Sequence, residues 1–333
     1  EGSMPELPIT IACGNYDRVQ AIKDGRVKVE GCAVNFLPLY PEEIFHRVFK
    51  FQEFDIAEIS GSSFIRTVAA GASEYIGIPA FVSRLFRHSG IYIRNGSGIE
   101  RPEDLRGKRI GLPEYQITAV VWMRGMLQHE YGVHPTEIHW RSGGQEEAGR
   151  DERTPLKPIA GLDLAPIGRD QTLVGMLRDG DLDALFTARA PSSFLLGEPH
   201  ISRLFPDTRA AERAYYEKAR MFPIMHLIGI RKELVQKYPW LPSSVYKAFC
   251  EAKTLAMIDL LDVNALMVTL PWLIPETEAT IATMGKDFWA YGIHENMREI
   301  EALSRYAHEQ GLIDRRIGVE ELFHPSMFEI SRV

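Results

Sequence analysis

Residues 108–132 read KRIGLPEYQITAVVWMRGMLQHEYG, and two structural patterns meet within them. KRIGLP (108–113) is a short apolar segment that is typical of a buried strand. TAVVWMRGMLQHEYG (118–132) has the length and composition of a helix that stops at a glycine. A strand followed directly by a helix is the unit from which α/β sheets are built, so the stretch predicts an α/β fold.

Short apolar segments alternate with helical patterns on both sides of this stretch. The predicted strands form a first set at 7–13, 33–40, 55–60 and 75–81, and a second set at 90–94, 108–113, 137–141, 162–168 and 182–188. Alternation of this kind implies parallel strands with covering helices. From residue 231 onward the pattern is mostly helical.

The division into lobes follows from where the strand pattern stops and restarts. The late helices have apolar faces but no strand pattern of their own, so we expect them to pack on the first lobe. The predicted first lobe is therefore residues 1–90 plus 201–333, and the second is residues 91–200, with a central cleft. Ligands of such sheets bind at the carboxyl ends of the strands. We expect the chain to cross between lobes near 84–91 and near 197–223.

Composition and charge limit the class of protein. The net charge of −7 and the pI near 5.9 argue against a nucleic-acid binder, and no apolar run approaches the roughly 20 residues that span a membrane. EGSM resembles a cleaved tag joined to an initiator Met4, so we expect no secretion leader and a cytoplasmic location. Cys13, Cys32 and Cys250 lack a CxxC spacing and fit a reducing compartment.

Polar side chains gather where the predicted strand 108–113 gives way to the helix. Glu114, Tyr115, Gln116 and Thr118 stand within five residues, and at this position they should face the cleft. The alternative is that Glu114 and Thr118 only cap the helix.

Several motifs together resemble the 4,5-dihydroxyphthalate decarboxylase family. They are NYDRVQAIKDGRVKVEG (15–31), SRLFRHSGIYI (83–93), PEDLRGKRIGLPEYQITA (102–119), TARAPSS (187–193) and FPIMH (222–226). The resemblance covers nearly the whole chain, and the polar stretch 142–160 matches least. It implies a two-lobed type II periplasmic-binding-protein-like fold used by an enzyme, and it implies conversion of 4,5-dihydroxyphthalate to protocatechuate and CO2. Because a fold does not determine a function, this interpretation has to be supported by the residues of the site.

The implied reaction sets requirements that the side chains can be checked against. Direct loss of CO2 from an aromatic ring would leave an aryl anion, whereas protonating the ring carbon first is easier. Each carboxylate is para to one hydroxyl, so an ionised phenol can push electrons to that carbon. The site then needs a base at the phenol, an acid near the ring carbon and cations for the remaining carboxylate.

Three arginines and three titratable groups answer those requirements. Arg18, Arg84 and Arg189 lie in predicted cleft loops and suit bidentate carboxylate binding, although each could be a surface charge, and Asp17 could instead pair with Arg18. The predicted catalytic residues are Glu114, His88 and His226, with acid and base roles left open. A satisfied core histidine is the alternative for His226. The hydroxyls and carboxylates could be bound by Tyr16, Ser62, Ser63, Tyr115, Gln116 and Thr118.

Two competing interpretations remain at this stage. A solute-binding protein for an aromatic acid or another small anion would share the fold and the arginines, but it would normally carry an export signal. Another enzyme on this fold could act on a different hydroxylated aromatic acid. No metal or other cofactor is predicted, because no ligand spacing demands one, although catechols do chelate divalent cations. The expected partner is a small aromatic carboxylate, and a homo-oligomer is left open.

Overall fold

The computed structural model describes residues 4–153 and 155–330, so the predicted tag at residues 1–3 lies outside the described residues. In this part of the chain the strands are β1 (Leu7–Cys13), β2 (Cys32–Pro38), β3 (Ile56–Ser60), β4 (Tyr75–Arg84), β5 (Ile91–Arg94), β6 (Arg109–Leu112), β7 (His139–Ser142), β8 (Asp163–Pro166), β9 (Ala184–Phe186), β10 (Ile201–Arg203) and β11 (Ile224–Arg231). The helices are α1 (Gln20–Lys23), α2 (Pro41–Phe51), α3 (Gly61–Ala69), α4 (Thr118–Tyr131), α5 (Leu173–Asp179), α6 (Ser192–Leu195), α7 (Thr208–Ala219), α8 (Lys232–Lys237), α9 (Leu241–Leu261), α10 (Leu273–Met284), α11 (Met297–Glu309), α12 (Val319–Leu322) and α13 (Met327–Ile330).

Two compact units divide the chain. The first unit contains the described residues up to Arg84, Ile224–Glu301 and the residues from Ile317 on, and the second contains Leu85–Pro223 and Ala302–Arg316. The sequence prediction gave three segments of the second unit to the first lobe. These segments are residues 85–90, 201–223 and 302–316.

Aromatic packing explains why two of those segments belong to the second unit. The ring of Phe205 lies 6.1 Å from the ring of Tyr131 on α4, and the ring of Tyr306 on α11 lies 5.5 Å from the ring of Trp122 on α4. Gly125 of α4 lies so close to the Tyr306 ring that a Cβ at this position would clash. Contacts between residues so far apart in sequence cannot be read from a local pattern.

The first unit is built on a five-stranded sheet of order β2-β1-β3-β11-β4. β1 pairs in parallel with β2 and β3, while β11 runs antiparallel to both β3 and β4. The buried side chains of Ile11, Ile56, Ile59 and Ile228 form the centre of this sheet's core. Strands covered on both faces have continuous apolar sequences, which is why the pattern predicted them.

The second unit is built on a six-stranded sheet of order β10-β5-β9-β6-β7-β8. β9, β6, β7 and β8 are parallel, and β5 runs antiparallel to β9 and β10. The prediction of parallel strands is therefore wrong for β5, and β11, which is not among the strands of the predicted alternation, is antiparallel as well. Each of these is the first strand after the chain passes from one unit to the other, so no covering helix precedes it within its sheet.

The helix α4 confirms the strand-to-helix interpretation of the opening stretch. It follows β6 and ends at Gly132, whose φ of 67° places it in the left-handed region that glycine tolerates best. Its N-cap is Ile117, which makes no side-chain capping hydrogen bond, so neither Glu114 nor Thr118 is the N-cap residue.

The C-terminal part of the chain is helical, as the sequence predicts. α9 is the longest helix of the described chain and buries Val245, Ala248, Phe249 and Ala252 in the first unit. Within residues 4–153 and 155–330, no helix combines the length and the apolar composition needed to cross a membrane.

Candidate active site

A buried carboxylate lies in the middle strand of the first unit's sheet. Glu58 on β3 has no exposed surface. Its Oε1 accepts a hydrogen bond from the Gly14 N–H at 2.8 Å and one from the Cys13 thiol at 3.6 Å. Its Oε2 accepts a hydrogen bond from the Tyr16 hydroxyl at 2.6 Å and lies 2.5 Å from Nδ1 of His226. One carboxylate therefore ties three segments of the chain together.

The order of the strands produces this arrangement. β3 lies between β1, which ends at Cys13, and β11, which carries His226. In the antiparallel register His226 pairs with Ser60 and Ile228 pairs with Glu58. Side chains two residues apart on a strand share a face, so His226 lies diagonally across from Glu58 on the same face.

The surroundings of Glu58 keep it charged. Burial alone would raise the pKa of this carboxyl group. The charge of His226, and the hydrogen bonds from His226, Tyr16 and Gly14, outweigh burial and hold the pKa of Glu58 below its usual value. The ionised carboxylate accepts a hydrogen bond from the Nδ1–H of His226, so Nε2 is the nitrogen that can exchange a proton with a ligand. The His226 side chain keeps 17% of its surface exposed, and the Phe45 ring packs edge-on at 4.7 Å.

Tyr16 and Cys13 remain protonated beside this carboxylate. Burial and the negative charge of Glu58 raise the pKa of the Tyr16 phenol and of the Cys13 thiol well above their usual values. Tyr16 is therefore a hydrogen-bond donor, and Cys13 is a thiol and not a reactive thiolate.

Arg18 presents a guanidinium group held between two aromatic rings. Its Cζ lies 4.1 Å from the centre of the Tyr16 ring and 4.3 Å from that of the Trp289 ring. Its Nε donates a hydrogen bond to the Val82 carbonyl at 2.6 Å, and Nη1 lies 3.4 Å from Asp17, the pairing raised as an alternative from the sequence. The two rings and the hydrogen bond fix the plane of the guanidinium group. The polar contacts involve Nε and Nη1, so Nη2 can bind a carboxylate.

The structure gives Arg84 internal partners. Nη1 donates hydrogen bonds to the Ala290 carbonyl at 2.9 Å and to the Asn296 side chain at 2.6 Å, and Nη2 lies 3.6 Å from Glu299. Its side chain is only 3% exposed. The structure thus corrects the prediction that Arg84 faces a ligand, because its charge balances a buried carboxylate.

The two predicted serines differ in exposure. α3 begins at Gly61 directly after β3, so both serines lie in its first turn. Ser62 is fully buried, whereas Ser63 is partly exposed. Of the two, Ser63 is the one that can contact a ligand.

In the second unit, residues 108–132 are mostly buried. Glu114 is partly exposed, and its Oε1 accepts a hydrogen bond from the backbone N–H of Arg153 at 2.6 Å. Gln116 is 4% exposed and Thr118 is 3% exposed. Among Glu114, Tyr115, Gln116 and Thr118, Glu114 is therefore the most accessible. Its hydrogen bond with Arg153 tethers the predicted polar loop 142–160, of which residue 154 lies outside the described residues.

Tyr115 belongs to the core of the second unit. It has no exposed surface, and its hydroxyl donates a hydrogen bond to the Gln310 carbonyl at 3.0 Å. The Arg124 guanidinium lies 3.7 Å from the centre of its ring. The predicted ligand-binding role of Tyr115 is corrected to a structural one, because its polar atom already has a buried partner.

His88 is likewise a core residue. Burial lowers the pKa of His88 to about 4, so the ring is neutral near pH 7. The rings of Phe205 and Tyr215 lie 5.0 Å and 5.3 Å from it. A neutral, enclosed imidazole is poorly suited to exchange protons with a ligand, which corrects the predicted catalytic role of His88.

Arg189 lies in the loop that follows β9, with an exposed side chain. The hydroxyl of Thr187 accepts a hydrogen bond from the Arg189 N–H at 3.2 Å, and Nε2 of Gln145 donates to the Arg189 carbonyl at 3.2 Å. These contacts fix the backbone from which the exposed cationic side chain extends.

The structure thus brings Tyr16, Arg18 and His226 together in the first unit around Glu58, which sequence reasoning missed. A signal was present, because DIAEIS (55–60) places a single acid in the middle of an apolar strand. Such an acid needs a buried partner. Among the described residues, no group of three or more His, Cys, Asp and Glu side chains is arranged to hold a metal ion.

Comparisons with known proteins give one full-length relative by sequence and several by fold. The chain is 43% identical over 330 residues to the 4,5-dihydroxyphthalate decarboxylase of Comamonas testosteroni, covering 99% of this chain and 100% of that protein. No protein-family model matches the sequence.

The fold comparisons include a binding protein and an enzyme. The periplasmic aliphatic sulphonate binding protein SsuA of Escherichia coli matches with a TM-score of 0.50 and 12% identity, over 98% of this chain and 100% of that one. The desulfurization enzyme DSZB matches with a TM-score of 0.51 and 13% identity, over 98% and 99% of the two chains. The predicted type II periplasmic-binding-protein-like fold is confirmed, and at these identities only the fold is shared.

Proposed function

This chain belongs to the 4,5-dihydroxyphthalate decarboxylase family, and we propose that it removes one carboxylate of 4,5-dihydroxyphthalate as CO2 and leaves protocatechuate. The observation that carries this proposal is the 43% identity to such a decarboxylase over 99% of the chain. The Glu58–His226 pair supplies a chemical reason, because it places an ionised carboxylate behind an accessible imidazole.

His226 is the proposed proton donor to the ring carbon. The Glu58 carboxylate fixes the ring through Nδ1 and leaves Nε2 as the nitrogen that donates. The Nε2 proton then passes to the ring carbon that bears the departing carboxylate. As CO2 leaves, the electron pair of the broken C–C bond returns to the ring, and solvent reprotonates the imidazole.

Electrons must also be pushed to that carbon, and Glu114 is the proposed acceptor of the phenol proton. Its Oε1 is engaged with Arg153, which leaves Oε2 for the substrate hydroxyl. The proton returns to the oxygen once the ring has regained its aromaticity. Gln116 and Thr118 stay proposed as neutral hydrogen-bonding groups beside it, although both are largely buried.

Arg18 is the proposed ligand of the carboxylate that remains on the ring. Its guanidinium plane is fixed by Tyr16 and Trp289, so little rotational freedom is lost when a carboxylate binds. Ser63 can add a hydrogen bond to this carboxylate in the same unit. The Tyr16 hydroxyl donates its proton to Glu58, so it can only accept a hydrogen bond, from a hydroxyl of the substrate. In the second unit, Arg189 remains a proposed carboxylate ligand because its side chain is exposed.

We also propose that the enzyme works in the cytoplasm. Cys13, Cys32 and Cys250 are free thiols, and the first two are buried. Free thiols fit a reducing compartment, and a catabolic substrate that has entered the cell would be met there.

The test is to incubate the purified protein with 4,5-dihydroxyphthalate and measure CO2 together with protocatechuate. We expect equimolar release of both. Phthalate, which lacks the hydroxyls, is the matched control and should give no CO2, because it has no phenol to push electrons to the ring carbon. Tight binding of 4,5-dihydroxyphthalate without CO2 release would contradict the proposal and identify a solute-binding protein instead.

A further inference from the structure

Large apolar side chains are exposed together in one short segment of the first unit. Among the residues that the structure describes, sixteen large hydrophobic side chains are exposed, and nine of them fall between residues 258 and 274. Trp272 is 75% exposed, Val263 is 68% exposed and Ile258 is 60% exposed. We call the exposed apolar residues of 258–274 the apolar surface.

The apolar surface is not an unfinished part of the unit's own core. It covers the end of α9, the connection of residues 262–272 and the start of α10. α10 is anchored separately, because Leu273 and Thr277 are buried at 6% and 9% exposure. The buried positions of this helix therefore already point inward, and the apolar surface is additional to them.

The size of the apolar surface matches what a stable association needs. From the exposed fractions of its nine side chains, it presents roughly 1,000 Å², against about 800 Å² per partner in a standard interface. The largest apolar patch on an ordinary monomer is about 300–600 Å². The difference favours a surface that is covered in solution.

The charges near the apolar surface restrict what can cover it. Asp259 and Asp262 are the charged residues between 258 and 274, and this range has no lysine or arginine. Association with an anionic lipid surface needs basic residues beside the apolar ones, so a membrane is disfavoured. The carboxylate of Asp262 is also engaged locally, since it accepts a hydrogen bond from the Asn264 N–H at 2.8 Å.

We propose that the apolar surface is the contact between two copies of this chain. In a two-fold contact the same patch lies on both sides, so apolar residues meet apolar residues without any complementary charge. Trp272, the most exposed of these side chains, would be the central anchor. This inference does not depend on the proposed reaction.

The test is sedimentation velocity at micromolar protein, comparing wild type with the double variant Val263→Glu/Trp272→Glu. Wild type should sediment as a dimer or a larger assembly, and this should persist in 1 M NaCl because the contact is apolar. The double variant should sediment as a smaller species. Leu196→Glu is the matched control, because Leu196 is 77% exposed in the second unit and should leave the assembly unchanged.

A wild-type protein that sediments as a monomer would overturn the proposal, and so would a double variant that keeps the wild-type assembly. Hydrogen exchange on wild type alone gives a second measurement that needs no folded variant. Amides of residues 262–272 should gain protection as the protein concentration rises. Exchange in this segment that does not change with concentration would also overturn the proposal. Neither the sedimentation result nor the exchange result depends on CO2 release. The proposed contact between copies and the proposed reaction can therefore fail separately.

Discussion

Glu58 is the residue on which the proposed site depends, because its buried carboxylate holds both Tyr16 and His226. A charge between apolar strand neighbours costs several kcal/mol unless it is paired. The partners that satisfy it, Tyr16 and His226, lie 42 and 168 residues away along the chain. A single sequence predicts that such a residue needs a partner, but it cannot say which one.

The folding stability of the protein should depend on pH through Glu58. Its pKa is lowered by folding, so its contribution to stability is present above the unfolded value near 4.5 and is lost as pH falls through the folded value. The difference in unfolding free energy between wild type and Glu58→Gln should therefore shrink between about pH 5 and pH 3. Denaturant titrations at several pH values measure this difference. A difference that stays constant over that range would contradict the assignment.

Arg18 should act in binding. Removing a charge-assisted contact costs about 1.5–3 kcal/mol, so Arg18→Met should raise KM by about 10- to 150-fold. Steady-state kinetics with 4,5-dihydroxyphthalate measure the effect, and Arg18→Lys, which keeps the charge but loses the planar fork, should fall between. An unchanged KM in Arg18→Met would remove Arg18 from the proposed site.

Arg84 should act in folding instead. Arg84→Met would leave Glu299, whose side chain is only 7% exposed, buried without its cation. Breaking such a pair typically costs about 3–5 kcal/mol. Chemical denaturation should show this loss, whereas the exposed Arg26→Met control should stay within about 0.5 kcal/mol of wild type. Wild-type stability together with a raised KM would contradict the folding role and indicate that Arg84 binds the substrate.

Local sequence patterns predict those strands and helices that depend only on neighbouring residues. β6 and α4 were found because an apolar segment, a turn and a helical pattern follow one another within residues 108–132. The direction of β5 differs from the predicted parallel pairing, and β11 is outside the predicted alternation, since strand pairing depends on distant partners. The alternative that Glu114 caps the helix is not supported, because Glu114 accepts a hydrogen bond from Arg153, 39 residues away, and Ile117 is the N-cap of α4.

Glu114 offers a prediction that separates loop tethering from proton transfer. Glu114→Gln keeps an oxygen that can accept the Arg153 N–H but loses the basic carboxylate. Its kcat should fall by about 10²–10⁴ with little change in tryptic cleavage at Arg150 and Arg153. Glu114→Ala should lose the tether too and be cleaved faster. Wild-type kcat in Glu114→Gln would leave Glu114 as a tether only.

For the whole molecule, the alternation of strands and helices predicts the fold class. It does not predict to which of the two units the late segments of the chain belong. The segment 302–316 joins the second unit because Tyr306 packs on Trp122 and Gly125, and Gln310 accepts a hydrogen bond from Arg124 at 2.8 Å. An apolar helix face predicts that a helix is buried, but not against which partner. The resemblance to a family supplied the reaction, and the structure supplied the Glu58–His226 pair.

The most direct test of the account is kcat for CO2 release from 4,5-dihydroxyphthalate by His226→Asn. If the imidazole held by Glu58 protonates the ring, kcat should fall by about 10²–10⁴ while the circular dichroism spectrum stays that of the wild type. His139→Asn, which changes a half-exposed histidine of the second unit, is the control and should keep wild-type kcat. A His226→Asn enzyme with kcat within about twofold of wild type would contradict the central claim, because general acid catalysis normally contributes far more than that.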